Sequence, residues 1–216
     1  MPTFDLSLYA VTPNDCPLWA IEAALRGGAT MLQLREKNLP LEDFITKARA
    51  VLALCRGYQV PLIINDSVPV ALAVGADGVH LGQNDMPSAK ARRLLGDAAI
   101  IGVTARTPEL ARRAQADGAS YLGAGAVFGT STKADAIPLS LADFTAVCHS
   151  VTIPVVAIGG ITTANAPRLA GSSLAGLAVV SGLFGHDLHS EEASRQIAKN
   201  AADLLTISRA LQKSNA

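Results

Sequence analysis

Two aspartates, Asp66 and Asp85, stand just past the ends of two successive apolar runs. Pro61–Ile64 ends in Asn65-Asp66, and Asp77–Leu81 ends in Gly82-Gln83-Asn84-Asp85. If both runs are strands and parallel neighbours, the two carboxylates open onto one rim. A pair of hard oxygen donors with water between them suits Mg²⁺, which keeps several waters and takes one or two protein carboxylates. Either aspartate alone reads equally as a helix cap or turn residue. The pairing is what points to a metal.

Cationic groups collect at a neighbouring strand end. Gln33, Arg35 and Lys37 are spaced by two across the end of Thr30–Leu34. On an extended segment that spacing puts all three on one face, and a guanidinium beside an ammonium suits a polyphosphate. Gly129-Thr130-Ser131-Thr132-Lys133 offers hydroxyls, backbone N–H groups and a lysine for phosphate oxygens. It lacks the leading glycine of a Walker A loop. Gly159-Gly160-Ile161 and Val180-Ser181-Gly182 follow the last two strands, where barrels often hold a phosphate. Solvated charges and tight turns are the plainer readings of each segment. Together they describe one metal-type carboxylate pair and two anion-binding regions, hence two phosphorylated groups with Mg²⁺ on a pyrophosphate. No Cys or Ser nucleophile stands beside a base, and no dinucleotide fingerprint is present. His80 lies inside a strand and reads as a core histidine.

The elements that position these residues alternate. Strands are expected at Leu6–Val11, Thr30–Leu34, Pro61–Ile64, Asp77–Leu81, Ala99–Val103, Ser120–Gly125, Val155–Ile158 and Leu177–Val180. Helices are expected at Pro17–Arg26, Leu41–Cys55, Val68–Val74, Pro87–Leu95, Pro108–Asp117, Leu139–Ser150, Ala164–Ala170 and Glu191–Leu211. Within Leu41–Cys55 the apolar positions keep the helical period, and Thr107 with Pro108 has the form of an N-cap followed by proline. Gly-Ala recurs before strands at Gly28-Ala29, Gly75-Ala76 and Gly118-Ala119, as left-handed C′ glycines would. Eight strand–helix units with buried apolar strands predict an α/β fold, a closed (β/α)₈ TIM barrel, with an open doubly wound sheet as the alternative. No linker divides the chain, so residues 1–216 are expected to form one domain.

Composition narrows the partners. Eighteen basic residues balance eighteen acidic ones, so no global field draws nucleic acid or a membrane surface, and any anion site is local. Half of the 216 residues are apolar and the mean hydropathy is +0.31, enough to bury a large core. Cys16, Cys55 and Cys148 are scattered without metal spacing, which fits reduced thiols in a cytoplasmic protein. No apolar run suggests a signal peptide or a membrane span. The composition leaves homo-oligomerisation open.

The ordered series Gln33-x-Arg35-Glu36-Lys37, Asn65-Asp66, Asp77-Gly78-Val79-His80-Leu81-Gly82-Gln83-x-Asp85, Gly102-Val103-Thr104, Thr130-x-Thr132-Lys133, Gly159-Gly160-Ile161 and Val180-Ser181 resembles the thiamine-phosphate synthase family. The resemblance implies an enzyme, a transferase joining a hydroxymethylpyrimidine diphosphate to a thiazole phosphate with loss of pyrophosphate, through a dissociative mechanism. It implies Mg²⁺ on Asp66 and Asp85. It assigns Gln33, Arg35, Lys37, Asn65, Thr104 and Lys133 to the pyrimidine diphosphate, and Thr130, Thr132, Gly160, Val180 and Ser181 to the thiazole phosphate. Glu36 and Ser131 fall within the same motifs and are expected beside them. Arg35, Lys37, Thr104 and Lys133 are the expected catalytic set.

One segment departs from the family pattern. Where the family usually has Gly-Val-Ser-x-His, this chain has Gly102-Val103-Thr104-Ala105-Arg106. Threonine keeps the hydroxyl, and Arg106 is expected at the solvated rim. Two alternatives stand beside the synthase: a thiazole tautomerase on the same barrel, with a histidine near position 127 where this chain has Val127, and a phosphate-ligand sensor without turnover.

Overall fold

The structure, a computed structural model, describes residues 4–129, 138–185, 188 and 191–214. Eight short strands, β1 (Leu8–Val11), β2 (Met31–Leu34), β3 (Leu62–Asn65), β4 (Gly78–Leu81), β5 (Ile100–Thr104), β6 (Tyr121–Gly125), β7 (Val155–Ile158) and β8 (Gly176–Val179), pair in sequence order. Every pairing is parallel, and β8 returns to β1 to close the barrel. Helices α1 (Leu18–Arg26), α2 (Leu41–Gly57), α3 (Val68–Val74), α4 (Ser88–Leu95), α5 (Pro108–Ala116) and α6 (Leu141–His149) follow β1 to β6. A 3-10 turn (Ala166–Leu169) follows β7, and the four-residue α7 (Ser181–Phe184) and long α8 (Glu191–Lys213) follow β8.

Strand alternation sorts the apolar residues into two bodies. Leu8 and Ala10, Leu32 and Leu34, Leu62 and Ile64, and their equivalents around the sheet face the helices in the larger cluster. Tyr9, Val11, Met31, Ile63, Ile100, Tyr121, Val156 and Ala178 face inward, where with Leu6 they form a compact plug inside the barrel. Side chains on both faces are therefore buried, which is why these strands read as continuous apolar runs.

The ends of the elements follow local rules. Ser67, Thr107 and Ser140 cap α3, α5 and α6 by accepting from Val70, Leu110 and Asp143 N–H at 3.3, 3.3 and 3.0 Å. The recurring glycines Gly28, Gly75 and Gly118 adopt φ of 98°, 68° and 87°, as expected of glycine after a helix. The expected helix at Ala164–Ala170 is a single 3-10 turn, since four residues carrying Pro167 cannot propagate the α-helical ladder. The α7 turn was not foreseen, because four residues carry no periodicity. Helix α8 packs on α1 and on β1 and β8. A Cβ on Gly27 would lie 2.4 Å from the Ala198 carbonyl oxygen, so glycine lets the two helices approach. Among the described residues no helix is long and apolar enough to cross a membrane.

One guanidinium ties together the end of the barrel away from the strand C-termini. Arg92 on α4 donates to the carbonyls of Gly96 (2.9 Å), Ala99 (2.7 Å) and Gly118 (2.9 Å) and to Ser120 Oγ (3.0 Å), which itself accepts from Ile101 N–H. A planar fork satisfies acceptors on two loops at once, which an ammonium cannot do. Arg92→Lys is expected to lower stability by about 1–3 kcal/mol, the cost of acceptors left without donors. Urea unfolding with an unchanged m-value checks it, and an unchanged midpoint would refute the staple.

Candidate active site

The C-terminal ends of the strands surround a cavity of about 410 Å³, the face where barrels of this kind place their chemistry. Gln33, Arg35 and Lys37 all line it. Gln33 is buried, with its Nε2 donating to Tyr9 Oη at 2.7 Å. The segment beyond β2 is held by β1's loop: Thr12 Oγ1 accepts from Arg35 N–H at 2.9 Å, and Asn14 Oδ1 accepts from Lys37 N–H at 3.1 Å and from the Arg35 guanidinium at 3.4 Å. That loop, Thr12-Pro13-Asn14-Asp15, interrupts the apolar run that ends at Val11. Its short polar side chains fix the direction of both cations.

Glu36, expected beside them, is not among the residues that line the cavity. The alternation that turns Gln33, Arg35 and Lys37 inward turns Glu36 outward. Its carboxylate is buried against the helices, accepting from Lys47 Nζ at 2.5 Å and from Asp15 N–H at 3.2 Å. Glu36 anchors the β1 loop to α2.

Asp66 and Asp85 meet at the same rim, and both line the cavity. Asp66 adopts a left-handed backbone with φ 62°, a region that aspartate tolerates better than most residues. Lys37 Nζ forms an ion pair with Asp66 Oδ2. Asp85 Oδ2 accepts from Gly82 N–H at 2.6 Å. Burial raises the Asp85 carboxyl above its ordinary value, and the Asp66 carboxylate beside it raises it further, while Gly82 N–H and Lys37 act in the opposite sense. Two carboxylates close enough to perturb one another, one of them already holding a cation, form a hard-oxygen donor set that fits Mg²⁺. Among the described residues no group of three or more such ligands occurs, so water and substrate oxygens would complete the shell.

A polar chain crosses the floor. Tyr9 and Tyr121 hydroxyls are 2.6 Å apart, Tyr121 Oη lies 3.0 Å from His80 Nδ1, and His80 Nε2 lies 3.0 Å from Thr104 Oγ1. His80, Gly102 and Tyr121 occupy one register row across β4, β5 and β6. A Cβ on Gly102 would lie 2.1 Å from the Tyr121 ring and 2.5 Å from His80 Nδ1. Glycine in the middle of the row is what lets the outer two meet. Burial pushes the His80 imidazole down to about 4, with the Asp66 carboxylate acting the other way. His80, expected as a core histidine, also lines the cavity, and Tyr9 and Tyr121 join it in one polar chain. The available signal was parity: each stands two residues along its strand from another inward position.

The remaining expected residues divide. Asn65 is buried and lines the cavity, with its Nδ2 lacking a partner among the described residues. Gly160, Val180 and Ser181 line the opposite wall. Gly160 has φ 62°, and a Cβ there would lie 2.1 Å from the Gly129 carbonyl oxygen, so glycine is required by the neighbouring loop whatever binds beside it. Thr130, Ser131, Thr132 and Lys133 lie outside the described residues. Arg106 lines the cavity, and its guanidinium donates to the Pro138 carbonyl at 3.4 Å, so the rim position is partly anchored rather than fully solvated. Gln83, not singled out from sequence, donates from Nε2 to the Thr104 carbonyl at 2.5 Å and joins the β4 and β5 loops.

Comparison with known proteins bears on this arrangement. The chain is 46% identical over 189 residues to the thiamine-phosphate synthase of Clostridium acetobutylicum, covering 85% of this chain and 90% of that one. It is 47% identical over 193 residues to the chloroplastic thiamine biosynthetic bifunctional enzyme TH1 of Arabidopsis thaliana, of which it spans only 37%. Among solved structures, the thiamine phosphate pyrophosphorylase of Pyrococcus furiosus superposes with a TM-score of 0.85 at 36% identity, covering 95% of this chain and 96% of that one. The family model for thiamine monophosphate synthase matches residues 8–183, from the first residue of β1 to the α7 turn. That span contains all eight strands and every cavity residue described above, and the chain belongs to the thiamine monophosphate synthase family.

Proposed function

We propose that this chain joins a pyrimidine-methyl diphosphate to a thiazole phosphate, giving thiamine monophosphate and pyrophosphate. The observation that carries the reading is the two-sided rim of one cavity. Arg35, Lys37 and the aspartate pair stand on one side, and Gly160, Val180 and Ser181 on the other. Relatives bearing the name thiamine-phosphate synthase match 85% of the chain at 46% identity.

The chemistry matches the groups present. The bond between the methylene carbon and the diphosphate oxygen breaks, and its electron pair leaves with pyrophosphate. The thiazole nitrogen lone pair then forms the new carbon–nitrogen bond. No proton is transferred, so no general base is needed, and His80 is already engaged on both ring nitrogens. Arg35 and Lys37 stabilise charge gathering on the leaving group. Asp66 and Asp85 would hold Mg²⁺, which when bound supplies further neutralisation of the departing diphosphate. The closed floor and buried walls exclude water that would capture the electron-deficient methylene. Cys16, Cys55 and Cys148 are buried free thiols, in keeping with a cytoplasmic protein. The isomerase alternative calls for a histidine beside Val127, where Ala126 and Phe128 flank it instead.

The direct test is thiamine phosphate formation by the purified chain from both substrates, with and without Mg²⁺. Turnover that persists in chelator refutes the metal assignment, and binding of both ligands without turnover favours a sensor.

Two variants check the site. Asp66→Asn is expected to reduce turnover by roughly 10²-fold, since leaving-group stabilisation is lost. Steady-state rates across a Mg²⁺ titration measure it, and a rate within twofold of the parent, to about that precision, sinks the carboxylate's role. Arg35→Lys is expected to weaken the diphosphate by about 1–3 kcal/mol, because the planar fork is lost while the charge remains. Ser181→Ala is expected to weaken the thiazole phosphate instead. Calorimetry with each ligand separates the two, and equal losses on both ligands in either variant would remove the division of the rim.

A further inference from the structure

The polar chain across the floor has a direction, and the direction reaches the substrate. Gln33 Nε2 donates to Tyr9 Oη. A phenol has a single proton and must place it when buried. Beside Gln33, which donates, the partner of Tyr9 Oη among the described residues is Tyr121 at 2.6 Å, so donation to Tyr121 is the arrangement that leaves no proton stranded. Tyr121 then donates to His80 Nδ1. In that arrangement Nδ1 is the unprotonated nitrogen, and the ring proton on Nε2 is directed at Thr104 Oγ1, 3.0 Å away. The Thr104 hydroxyl, having accepted, has only its own proton left to offer. Thr104 lines the cavity, and among the described residues no acceptor for that proton is present. At the other end, the Gln33 side-chain carbonyl has no partner among the described residues, and Gln33 also lines the cavity.

We propose that the Gln33–Tyr9–Tyr121–His80–Thr104 chain is a polarity relay that holds the Thr104 hydroxyl as a donor and the Gln33 carbonyl as an acceptor toward the bound pyrimidine, making Tyr9, Tyr121 and His80 positioning residues. The inference rests on the proposed function for the identity of the ligand. The chemistry it selects is a neutral heteroaromatic ring carrying both ring-nitrogen acceptors and an amino donor. Asn65 Nδ2, buried at the same cavity and without a partner among the described residues, adds a second donor. A ring with its donor and acceptors exchanged would meet unpaired polar groups on the floor, which a closed site discriminates against strongly. Tyr121 is fully buried and does not line the cavity, so its effect on catalysis passes through His80 and Thr104, whereas Tyr9 lines the cavity beside Gln33.

The experiment reads the polarity without relying on turnover. In the ¹⁵N-labelled full chain, with the His80→Gln spectrum assigning the signal, two-bond ¹H–¹⁵N correlations of His80 are expected to show the neutral tautomer with its proton on Nε2. A proton on Nδ1, an imidazolium, or rapid averaging of both tautomers overturns the relay, whatever the protein's activity. Tyr121→Phe removes one hydroxyl and keeps the ring. It is expected to abolish the tautomer preference and to lower kcat/KM for the pyrimidine diphosphate by about tenfold or more, with the thiazole phosphate KM unchanged. In a Thr104→Ala background the same substitution is expected to cost less than about twofold, because the relay no longer has an end to set. Full additivity of the two substitutions overturns the proposal. If Tyr121→Phe does not fold, Tyr9→Phe breaks the chain one step earlier and is read in the same way. Absence of thiamine phosphate formation by the parent chain refutes the proposed function alone, and the tautomer measurement still decides the relay.

Discussion

A closed parallel barrel has a single interior, and every second residue of all eight strands must share it. This chain meets that constraint by placing glycine where two large polar side chains need the same space. His80, Gly102 and Tyr121 lie in one register row, and the absent side chain in the middle is filled by the hydroxyl and imidazole from either side. Gly123 gives room in the same way, its notional Cβ falling 3.1 Å from His80 Cε1. Burying two phenols and an imidazole away from water is costly unless each polar atom finds a partner. Here they find one another, so the group that lets the core close also forms the floor of the cavity.

The charge pattern is local for the same reason. Balanced totals of acidic and basic residues leave no long-range field. What the site has instead is cations aimed by short polar side chains. Thr12 and Asn14 at the end of β1 take the backbone N–H groups of Arg35 and Lys37, and Asn14 also takes the Arg35 guanidinium. Glu36, between the two cations in sequence, points to the other side and ties Asp15 and Lys47 together. One strand end thus serves the cavity and the outer layer by parity alone.

The architecture was legible in the chain because local signals repeat: apolar runs too short for helices, helical periods between them, and glycine after helices at Gly28, Gly75 and Gly118. Asp66, Asp85, Gln33, Arg35 and Lys37 were legible as cavity residues because strand ends converge in a barrel. Glu36 stands in the same motif, and the alternation along the strand turns it to Asp15 and Lys47 instead. Tyr9, His80 and Tyr121 were hidden for a different reason. Their use depends on contacts between strands 41 and 112 residues apart, which no local pattern contains. The role of Gly160 also changed on folding: its left-handed backbone and its contact with Gly129 are demands of the neighbouring loop.

Leu6, Met31, Ile63 and Ile100, all buried, pack with Tyr9 and Tyr121 inside the barrel, and among the described residues they close it below the cavity. The cavity is therefore a blind well with one mouth. Whatever reaches Thr104 arrives past Arg35, Lys37 and Ser181 and departs by the same route. A molecule resting on the floor must enter before one lodged near the mouth and leave after it. The order of traffic, last in and first out, is imposed by the plug of apolar side chains at the bottom of the barrel, far from any atom that reacts.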